Sequence, residues 1–367
     1  MSARAKSDDR RTVGVEEELL VVRPELGTAV PLGEQVIEQS CGDDVEHEFK
    51  QEQIEIASDP QEDLAAVLRD LVERRAVAIE SARVVGVEIA ALATNPGKLR
   101  PRGTVDERYQ RMVAEFGLTA VEQLACGQHM HVAVSSPAEG VAVLDRLRGW
   151  LPILLALSTN SPFWQEQDTG YASYRSQLWG RWPSAGPSEL FGTEAGYQAA
   201  LRSQLDAGSA LDDGMIYFDA RLSAHYPTVE IRVADVCTDV RDAVLLAGLA
   251  RALVETAAAE WRDGTTPLPL TVPMLRAANW RASRWGMTGT LLNPLTGQQD
   301  SAWAVVELMV SRLRPALDRS DDLAYVGEQL DRLRHEGTGA DQQRRVFAET
   351  QDLDQVLADA VRRTATG

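Results

Sequence analysis

Ionisable side chains recur at every second position in several short stretches of this sequence. Glu16 and Glu18 are two positions apart, and so are His129 and His131. Side chains of a β-strand alternate between its two faces, so residues i and i+2 point the same way. The pattern therefore predicts two strands that each present a pair of acidic or imidazole groups on one face.

The same spacing occurs nearer the middle of the chain. Asp219 is followed by Arg221, and Glu230 is followed by Arg232. The residues between and beside these positions are almost wholly apolar, as they are around Glu55. We expect the apolar faces to pack against helices and the charged faces to line one common concavity.

Gathering these carboxylates has an electrostatic cost. Two of them on one strand face lie about 7 Å apart and repel by roughly 2 to 3 kcal/mol at an effective dielectric near 20. Divalent cations would neutralise a cluster of Glu16, Glu18, Glu55 and Glu230, and oxygen ligands suit Mg²⁺ or Mn²⁺ better than zinc. Taken alone, the pattern fits a solvated face of an antiparallel sheet as well as a metal site.

The periodicity of the whole sequence predicts an α+β fold. We expect a largely antiparallel six-stranded sheet with helices packed on one face, because the order of strands and helices is unlike a βαβ repeat. The predicted strands are 13–22, 53–57, 85–91, 129–134, 216–222 and 229–234. Predicted helices follow Asp59, Ser136 and Asp239, the second of them continuing, with a bend at Pro152, to about Leu157.

Beyond Gly264 the sequence shows no convincing strand. Residues 265–297 are rich in Pro, Gly and Trp and predict a long loop or lid. Four helices are expected after it, and Pro315 is expected to end the first of them at Arg314. We divide the chain into a flexible tail at 1–11, a catalytic domain at 12–300, and a helical C-terminal part at 301–367 packed on the same domain.

Composition narrows the function. The formal net charge is −18 and the only lysines are Lys6, Lys50 and Lys98, so a surface for nucleic acid or anionic membranes is not expected. The G-x-x-x-x-G-K-[ST] phosphate loop is absent. Anionic small molecules would have to be bound by arginine or metal.

Cysteine usage and the N-terminus indicate an intracellular protein. Cys41, Cys126 and Cys237 have no C-x-x-C spacing and are expected to be free, buried thiols. The first eleven residues lack the apolar core of a signal peptide, and the longest apolar run is too short to span a bilayer. We expect a cytoplasmic location and leave the oligomeric state open, a homo-oligomer being one option.

Several segments, taken in order, resemble the type 2 glutamate–cysteine ligase family, also called carboxylate–amine ligases. The resemblance extends over most of residues 12–300, and its combination of motifs is specific although each motif alone is not. The segments that carry it are Gly14-Val15-Glu16-Glu17-Glu18, Gln53-Ile54-Glu55, Gly127-Gln128-His129-Met130-His131-Val132, Ser158-Thr159-Asn160-Ser161-Pro162-Phe163-Trp164, Tyr174-Arg175-Ser176 and Thr228-Val229-Glu230-Ile231-Arg232-Val233-Ala234-Asp235.

This resemblance implies a glutamine-synthetase-like catalytic fold and an ATP-dependent reaction. L-glutamate would be activated as an acyl phosphate at its γ-carboxylate and joined to an amine, usually that of L-cysteine. It further implies ATP and Mg²⁺ (or Mn²⁺) as cofactors and small molecules as the partners.

Site residues carry over from the resemblance one by one. Metal ligands would be Glu16, Glu18, Glu55, His129 and Glu230, with Glu230 and Arg232 at the reacting phosphoryl group. Substrate or nucleotide would be bound by Arg175, Arg221, Asn160 and His131. Thr94-Asn95-Pro96 departs from the His-Pro pair that the family shows after its third strand, and residues 300–367 lie outside the resemblance.

Two other classes stay open. A metal-dependent amidohydrolase also places an H-x-H pair on a strand, but it needs further His ligands, and only His47, His225 and His335 remain. A non-catalytic nucleotide- or metabolite-binding protein would keep the fold without needing the carboxylates. Within the ligase class, the amine is not determined, and we expect residues 99–109 and 279–292 to form its pocket.

Overall fold

The structure is a computed structural model that describes residues 10–40, 45–104 and 106–366. Its larger sheet holds eight strands, and every pairing in it is antiparallel. Two further sheets have two strands each, Phe163–Trp164 with Gln167–Asp168 and Thr290–Leu292 with Gln299–Ser301. The strands are β1 (Val13–Arg23), β2 (Thr28–Ala29), β3 (Glu46–His47), β4 (Gln53–Ala57), β5 (Glu88–Ala90), β6 (Gly127–Ala133), β7 (Phe163–Trp164), β8 (Gln167–Asp168), β9 (Ala220–Leu222), β10 (Thr228–Asp235), β11 (Thr290–Leu292) and β12 (Gln299–Ser301).

The helices lie mainly between β4 and β6, between β6 and β10, and after β10. They are α1 (Gly33–Gln39), α2 (Leu64–Val85), α3 (Glu107–Phe116), α4 (Leu118–Glu122), α5 (Pro137–Leu147), α6 (Leu151–Ser158), α7 (Arg175–Trp179), α8 (Glu194–Asp206), α9 (Val240–Arg262), α10 (Val272–Trp285), α11 (Ala302–Ser320), α12 (Leu323–Glu336), α13 (Gly339–Thr350) and α14 (Leu353–Thr366).

The central strands run in the order β3-β4-β1-β6-β10-β9. Their apolar faces, which include Val15, Met130 and Ile231, are buried against α2, α5, α6 and α9 in one large core. The same core takes in Leu313 and Leu330 of α11 and α12. The α+β class, the antiparallel sheet and the packing of its apolar face against helices agree with the sequence prediction, but the sheet has eight strands rather than six.

Two predicted strands are shorter than expected, for local reasons. Residue Val85 ends α2, and Gly86 closes that helix in the left-handed conformation at φ 79°, so that β5 begins only at Glu88. Residues 216–219 are not part of β9. Tyr217 and Phe218 instead pack in an aromatic cluster, and the backbone N–H of Asp219 donates to the carbonyl of Gly186.

The prediction of a long loop at residues 265–297 is wrong. Its middle part forms α10, which begins with a hydroxyl cap from Thr271 and has Pro273 in its first turn, a position that tolerates proline. Leu275, Ala278 and Ala282 are buried at helical spacing along it. The strand β11 then follows, so the expectation of no strand beyond Gly264 is also wrong.

Pro315 does not end a helix at Arg314. It lies inside α11, which continues to Ser320. The missing backbone hydrogen bond is offset by packing, because Leu313 and Leu317 on either side of the proline are fully buried. The predicted helix from 136 to about 157 is divided in two, α5 and α6, rather than bent at Pro152.

Three smaller expectations concern the termini, the thiols and the membrane. Most of the predicted tail, and Cys41, lie outside the described residues, but Arg11 is held by Glu139 and Glu255, each at 2.7 Å. Cys126 and Cys237 are free and buried, as expected. In the described ranges, no helix combines the length and the apolar character that crossing a membrane would require.

Candidate active site

Cross-strand pairing brings the predicted site residues together on one face of the sheet. Glu18 of β1 lies opposite Glu55 of β4, and Glu16 lies opposite His129 of β6. On the next strand Glu230 of β10 lies opposite His131. Directly opposed like charges destabilise a sheet, so the facing pair Glu18 and Glu55 is not there for stability.

One ring nitrogen of His129, Nε2, faces this cluster and can accept a hydrogen bond or bind a cation. Its Nδ1 is 3.2 Å from a carboxylate oxygen of Glu16, which can only accept, so Nδ1 carries the proton when the ring is neutral. Burial and the nearby Arg232 lower the pKa of His129 to about 4. Its Nε2 has no hydrogen-bond partner and lies 3.7 Å from Glu18. A lone pair and a carboxylate therefore face each other, and a cation between them would satisfy both.

The carboxylates beside His129 are not fully neutralised by the positive charges near them. Burial, followed by repulsion from Glu48, raises the pKa of Glu18 to about 7. Burial and the charges of Glu48 and Glu16 raise the pKa of Glu55 well above its usual value. Both shifts arise because several ionised groups share a desolvated space.

Glu48 belongs to this cluster, and the sequence analysis missed it. It lies between β3 and β4, and burial raises its pKa. Its Oε2 accepts a hydrogen bond from the backbone N–H of Phe49 at 2.7 Å. Strand alternation could not identify Glu48, because the chain around it is irregular. The only available signal was its position seven residues before Glu55, in an acidic stretch.

Glu16 differs from its neighbours because imidazole groups surround it. Burial pushes the pKa of Glu16 upward, but hydrogen bonds with His129 and His131 outweigh burial and leave it below its usual value. Nε2 of His131 is 3.1 Å from Glu16, and its Nδ1 is 3.0 Å from the hydroxyl of Thr228. Glu16 is therefore ionised more readily than Glu18 and Glu55, whose pKa values are raised.

Glu230 holds two arginines at the other side of the cluster. Arg221 of β9 binds it with two N–H groups, at 2.6 and 3.2 Å, and Arg232 forms a very close ion pair with it. Burial opposes ionisation, but the charges of Arg232 and Arg221 lower the pKa of Glu230. Arg232 stays available to a second anion, because its Nε has no partner and its guanidinium is also packed over Trp179 and Tyr217.

A break in strand register sets the direction of Arg232. The pairing of β10 with β6 shifts between Ile231 and Ala234, which is the mark of a β-bulge. In this stretch the backbone N–H of Arg232 donates to Asp219 rather than to β6, at 2.9 Å. Simple alternation therefore does not describe where the Arg232 side chain goes, although it remains at the acidic cluster.

The cluster opens into a cavity of about 940 Å³, here called the main cleft. Aromatic rings of Tyr109, Trp179 and Tyr217 form part of its wall. Arg108 also lines it but is neutralised by Asp212, at 2.7 Å. Residues Arg108 and Tyr109 fall within the segment 99–109 that we expected to line an acceptor pocket.

Two groups of ligand atoms in the cluster have a spacing that could hold a cation. Glu16, His129 and Glu230 form one group, and Glu18, Glu55 and His129 form the other. In each group the donor atoms lie within 4.8 Å of one another. Together with the partnerless Nε2 of His129, this arrangement fits hard divalent ions.

Arg175 lies at the edge of the cluster, next to a smaller cavity of about 210 Å³, here called the side cavity. Arg175 is buried with its guanidinium over Trp179, and its Nε has no partner. Arg232 and Trp179 line both cavities. Asp219, which we expected to share a face with Arg221, lines the side cavity, whereas Arg221 lines the main cleft.

Asn160 is not brought to either cavity. Its amide donates to the carbonyls of Ala91 and Val236, and it accepts from Gln343 of α13 at 2.7 Å. This network holds the turn after α6 in place, so the placement argues against the nucleotide-binding role we predicted. Asn95 belongs to the segment Thr94-Asn95-Pro96, which departs from the family's His-Pro pair. Its side chain is likewise bonded to the backbone, because it accepts from the N–H of Ala29 and donates to the carbonyl of Gly97.

Glu17 lies on the opposite face of β1, as strand alternation requires. It is fully buried and accepts two hydrogen bonds from Arg75 of α2, at 2.7 and 2.8 Å. The same guanidinium donates to the carbonyls of Cys237 and Thr238. This ion pair joins the sheet to α2 and the start of α9, away from the acidic cluster.

The profile of glutamate–cysteine ligase family 2 matches residues 12–364. The chain belongs to this family. The match includes residues 300–364, so our interpretation that the C-terminal quarter lies outside the resemblance is wrong. The structure agrees with this extent of the match, because α13 contacts Asn160 and α14 packs on β5.

Two relatives in the family are similar over almost their full length. A Streptomyces coelicolor protein with the provisional name glutamate–cysteine ligase 2 is 48% identical over 359 residues, which cover 96% of this chain and 99% of that one. A Paenarthrobacter aurescens protein, provisionally named glutamate–cysteine ligase 2-1, is 46% identical over 364 residues, covering 96% and 95%.

Solved structures share the fold of this family member at low sequence identity. The glutamate–cysteine ligase of Francisella tularensis, determined with AMP, has a TM-score of 0.71 at 11% identity, over 99% of this chain and 90% of that one. A bifunctional glutathione synthetase from Pasteurella multocida has a TM-score of 0.71 at 16% identity. That match covers 97% of this chain and about half, 52%, of the larger protein.

Proposed function

We propose that this protein is an ATP-dependent carboxylate–amine ligase that activates the γ-carboxylate of L-glutamate and joins it to an amine. The observation that carries the proposal is that Nε2 of His129 faces a cluster of buried and half-buried carboxylates next to Arg232. Membership of the ligase family, and the ligase names of its relatives, support the same chemistry. L-cysteine, the amine implied by those names, is the first acceptor to test.

The proposed cations are Mg²⁺ or Mn²⁺. Glu18, Glu55 and Nε2 of His129 would hold one ion, with Glu48 beside it, and Glu16 and Glu230 would face a second, because the neutral ring offers a single lone pair. When bound, these ions neutralise the phosphates of ATP so that an anionic carboxylate can approach. The fit rests on oxygen donors with one imidazole, the set that hard ions prefer.

The reaction has two balanced steps. An oxygen of the γ-carboxylate attacks the γ-phosphorus of ATP, an acyl phosphate forms, and ADP leaves. The amine nitrogen then attacks the acyl carbon, and phosphate leaves with one of the former carboxylate oxygens. Charge stabilisation and positioning supply most of the catalysis in such transfers.

The arginines of this chain have separate tasks in these steps. Arg232 is buried beside the cluster with an unbonded Nε, and we assign it to the phosphoryl group in transfer. Arg221 is tied to Glu230 by two hydrogen bonds, so it orients that carboxylate more than it binds substrate. Arg175 also lies against the Trp179 ring, and we assign it to the substrate carboxylate.

A metal-dependent amidohydrolase fits this site less well. His47 lies on the exposed strand β3, and in the described residues no metal-binding group of the site contains more than one histidine. Hydrolysis of an amide would also give the guanidinium of Arg232 no evident role in the reaction.

The direct test is release of ADP with L-glutamate, Mg²⁺ and a panel of amines, with the masses of the products recorded. The ligase proposal expects ADP release that needs both glutamate and an amine, together with a γ-glutamyl amide. Amide hydrolysis that proceeds with zinc and without ATP would instead support the amidohydrolase.

A further inference from the structure

The side cavity is small and carries charges of both signs. Its 210 Å³ is below the roughly 300 to 1,000 Å³ that drug-sized ligands occupy. Guanidinium groups line it together with one carboxylate, that of Asp219, and the side-chain amides of Gln177 and Asn279. A site for a simple anion would have no use for a carboxylate in its wall, because the carboxylate would repel the anion.

Asp219 and Asn279 together present unused acceptor atoms. Oδ2 of Asp219 accepts from the amide nitrogen of Asn279 at 2.7 Å, which turns the amide oxygen of Asn279 away from that bond. This oxygen is buried and has no partner. Burial raises the pKa of Asp219 to about 6, against the hydrogen bond from Asn279 and the charge of Arg276. An ammonium group would satisfy both residues.

Arg276 supplies the opposite charge at the outer wall. It lies on α10, one turn before Asn279, and is exposed. In the ranges that the structure describes it forms no ion pair or hydrogen bond of its own, although its charge acts on Asp219. At the inner wall, Arg175 and Arg232 each have a buried Nε without a partner.

We propose that the side cavity binds the α-amino-acid head of the carboxylate substrate. Asp219 and Asn279 receive its ammonium group and Arg276 its α-carboxylate. The side-chain carboxylate then extends toward Arg175 and Arg232, where the cavity meets the main cleft. This inference rests on the proposed ligase function and adds to it the recognition of L-glutamate as a zwitterion.

The arrangement separates the two small substrates. Arg232 and Trp179 form the boundary between the cavities, so the activated carboxyl carbon would lie at that boundary. The amine would then approach from the main cleft, where ATP and the cations also bind. A ligand that lacks the matching polar group leaves the buried polar groups of the site unpaired and is rejected. Glutarate, which has no ammonium group, should therefore be a poor substrate.

Three variants test the proposal: Asp219→Asn, Arg276→Gln and, as a control on the same helix, Arg281→Gln, whose side chain binds Thr290 instead. Melting temperatures establish that each is folded. Arg276→Gln should raise the KM for L-glutamate at least about tenfold and leave the KM for ATP unchanged, because it removes a charge-assisted pair with the α-carboxylate. Asp219→Asn should reduce the preference for L-glutamate over glutarate by a similar factor. The control should match the wild type.

Binding is measured as well, by equilibrium dialysis of L-glutamate against each protein with Mg²⁺ and a non-hydrolysable ATP analogue. Loss of binding in Arg276→Gln but not in Arg281→Gln supports the site even if no amine is found that supports turnover. A wild type that binds L-glutamate but never releases ADP would refute the proposed function alone. Unchanged glutamate binding and KM in both cavity variants, or no binding to any of the proteins, would overturn the inference.

Discussion

Nε2 of His129 lies 3.7 Å from a carboxylate oxygen of Glu18, with no hydrogen-bond partner of its own. Its ring is neutral near pH 7 because burial and Arg232 lower the pKa of His129 to about 4. The same burial raises the pKa of Glu18 to about 7. Protons and divalent cations should therefore compete for this position, which leads to the first prediction.

We predict that Mg²⁺ or Mn²⁺ raises the melting temperature, and more so at pH 8 than at pH 6. The raised pKa of Glu18 means that the folded protein holds more protons than the unfolded chain between about pH 4.5 and 7. Without metal, this carboxyl's contribution to stability therefore falls as pH rises through that window. A cation removes the penalty once the carboxylate is ionised, and it stabilises by about 2.7 kcal/mol at 100 times its Kd.

Thermal melts with chelator and with each cation, at both pH values, measure this effect. Glu194→Gln, at an exposed position of the main cleft outside both ligand groups, should respond like the wild type, whereas Glu18→Gln should lose most of the response. An equal response in Glu18→Gln and Glu194→Gln would contradict the metal assignment.

The three consecutive glutamates of β1 should behave differently when each is replaced by glutamine. Glu16→Gln and Glu18→Gln should lower turnover by more than about 10²-fold, because each removes a ligand of the proposed ions, whose charge stabilisation is worth several kcal/mol. Glu17→Gln should lower stability instead, by about 3 to 5 kcal/mol, since it leaves Arg75 buried without its partner.

Urea unfolding separates the two effects from each other. Turnover per folded molecule should stay near normal in Glu17→Gln, at a temperature where that variant is folded. A stable Glu17→Gln protein with lost turnover would mean that this residue acts in the site after all.

Arg232→Lys should reduce turnover by at least roughly 10²-fold, about 2.7 kcal/mol, with little change in KM for either substrate. Lysine keeps the charge but not the planar fork that can hold Glu230 and a phosphoryl oxygen together. Arg175→Lys should chiefly raise the KM for glutamate or ATP. Steady-state kinetics of the two variants measure the contrast, and near-normal turnover in Arg232→Lys would reduce Arg232 to a structural partner of Glu230.

Glu48→Gln should lower turnover as much as Glu55→Gln does. Both carboxyls belong to the cluster around Glu18, and the charge of Glu48 raises the pKa of both Glu18 and Glu55. The exposed Glu46, two residues earlier, offers a matched control in Glu46→Gln. If Glu48→Gln were as active as Glu46→Gln, Glu48 would be a bystander of the cluster.

Strand alternation was enough to predict the core of this site. Glu16, Glu18, Glu55, His129 and Glu230 lie in regular antiparallel pairs, so spacing alone placed them on one face. Glu48 and Asp219 lie just outside strands, where no period exists to indicate a direction. The register shift after Ile231 has no signature in the sequence either.

Longer-range errors had a different cause. Gly- and Pro-rich composition suggested a loop at 265–297 and a helix end at Pro315. Burial of Leu275 and Ala282 in one case, and of Leu313 and Leu317 in the other, stabilises a helix through contacts that lie far away along the chain. Local propensity carries no information about such contacts.

The proposed function depends on activation of glutamate by phosphoryl transfer to its γ-carboxylate. L-glutamate carrying ¹⁸O in that carboxylate, incubated with ATP, Mg²⁺ and an accepted amine, tests it directly by mass analysis of the released phosphate. We expect each amide formed to be accompanied by one phosphate containing a single ¹⁸O atom from glutamate. Amide formed together with unlabelled phosphate would contradict it.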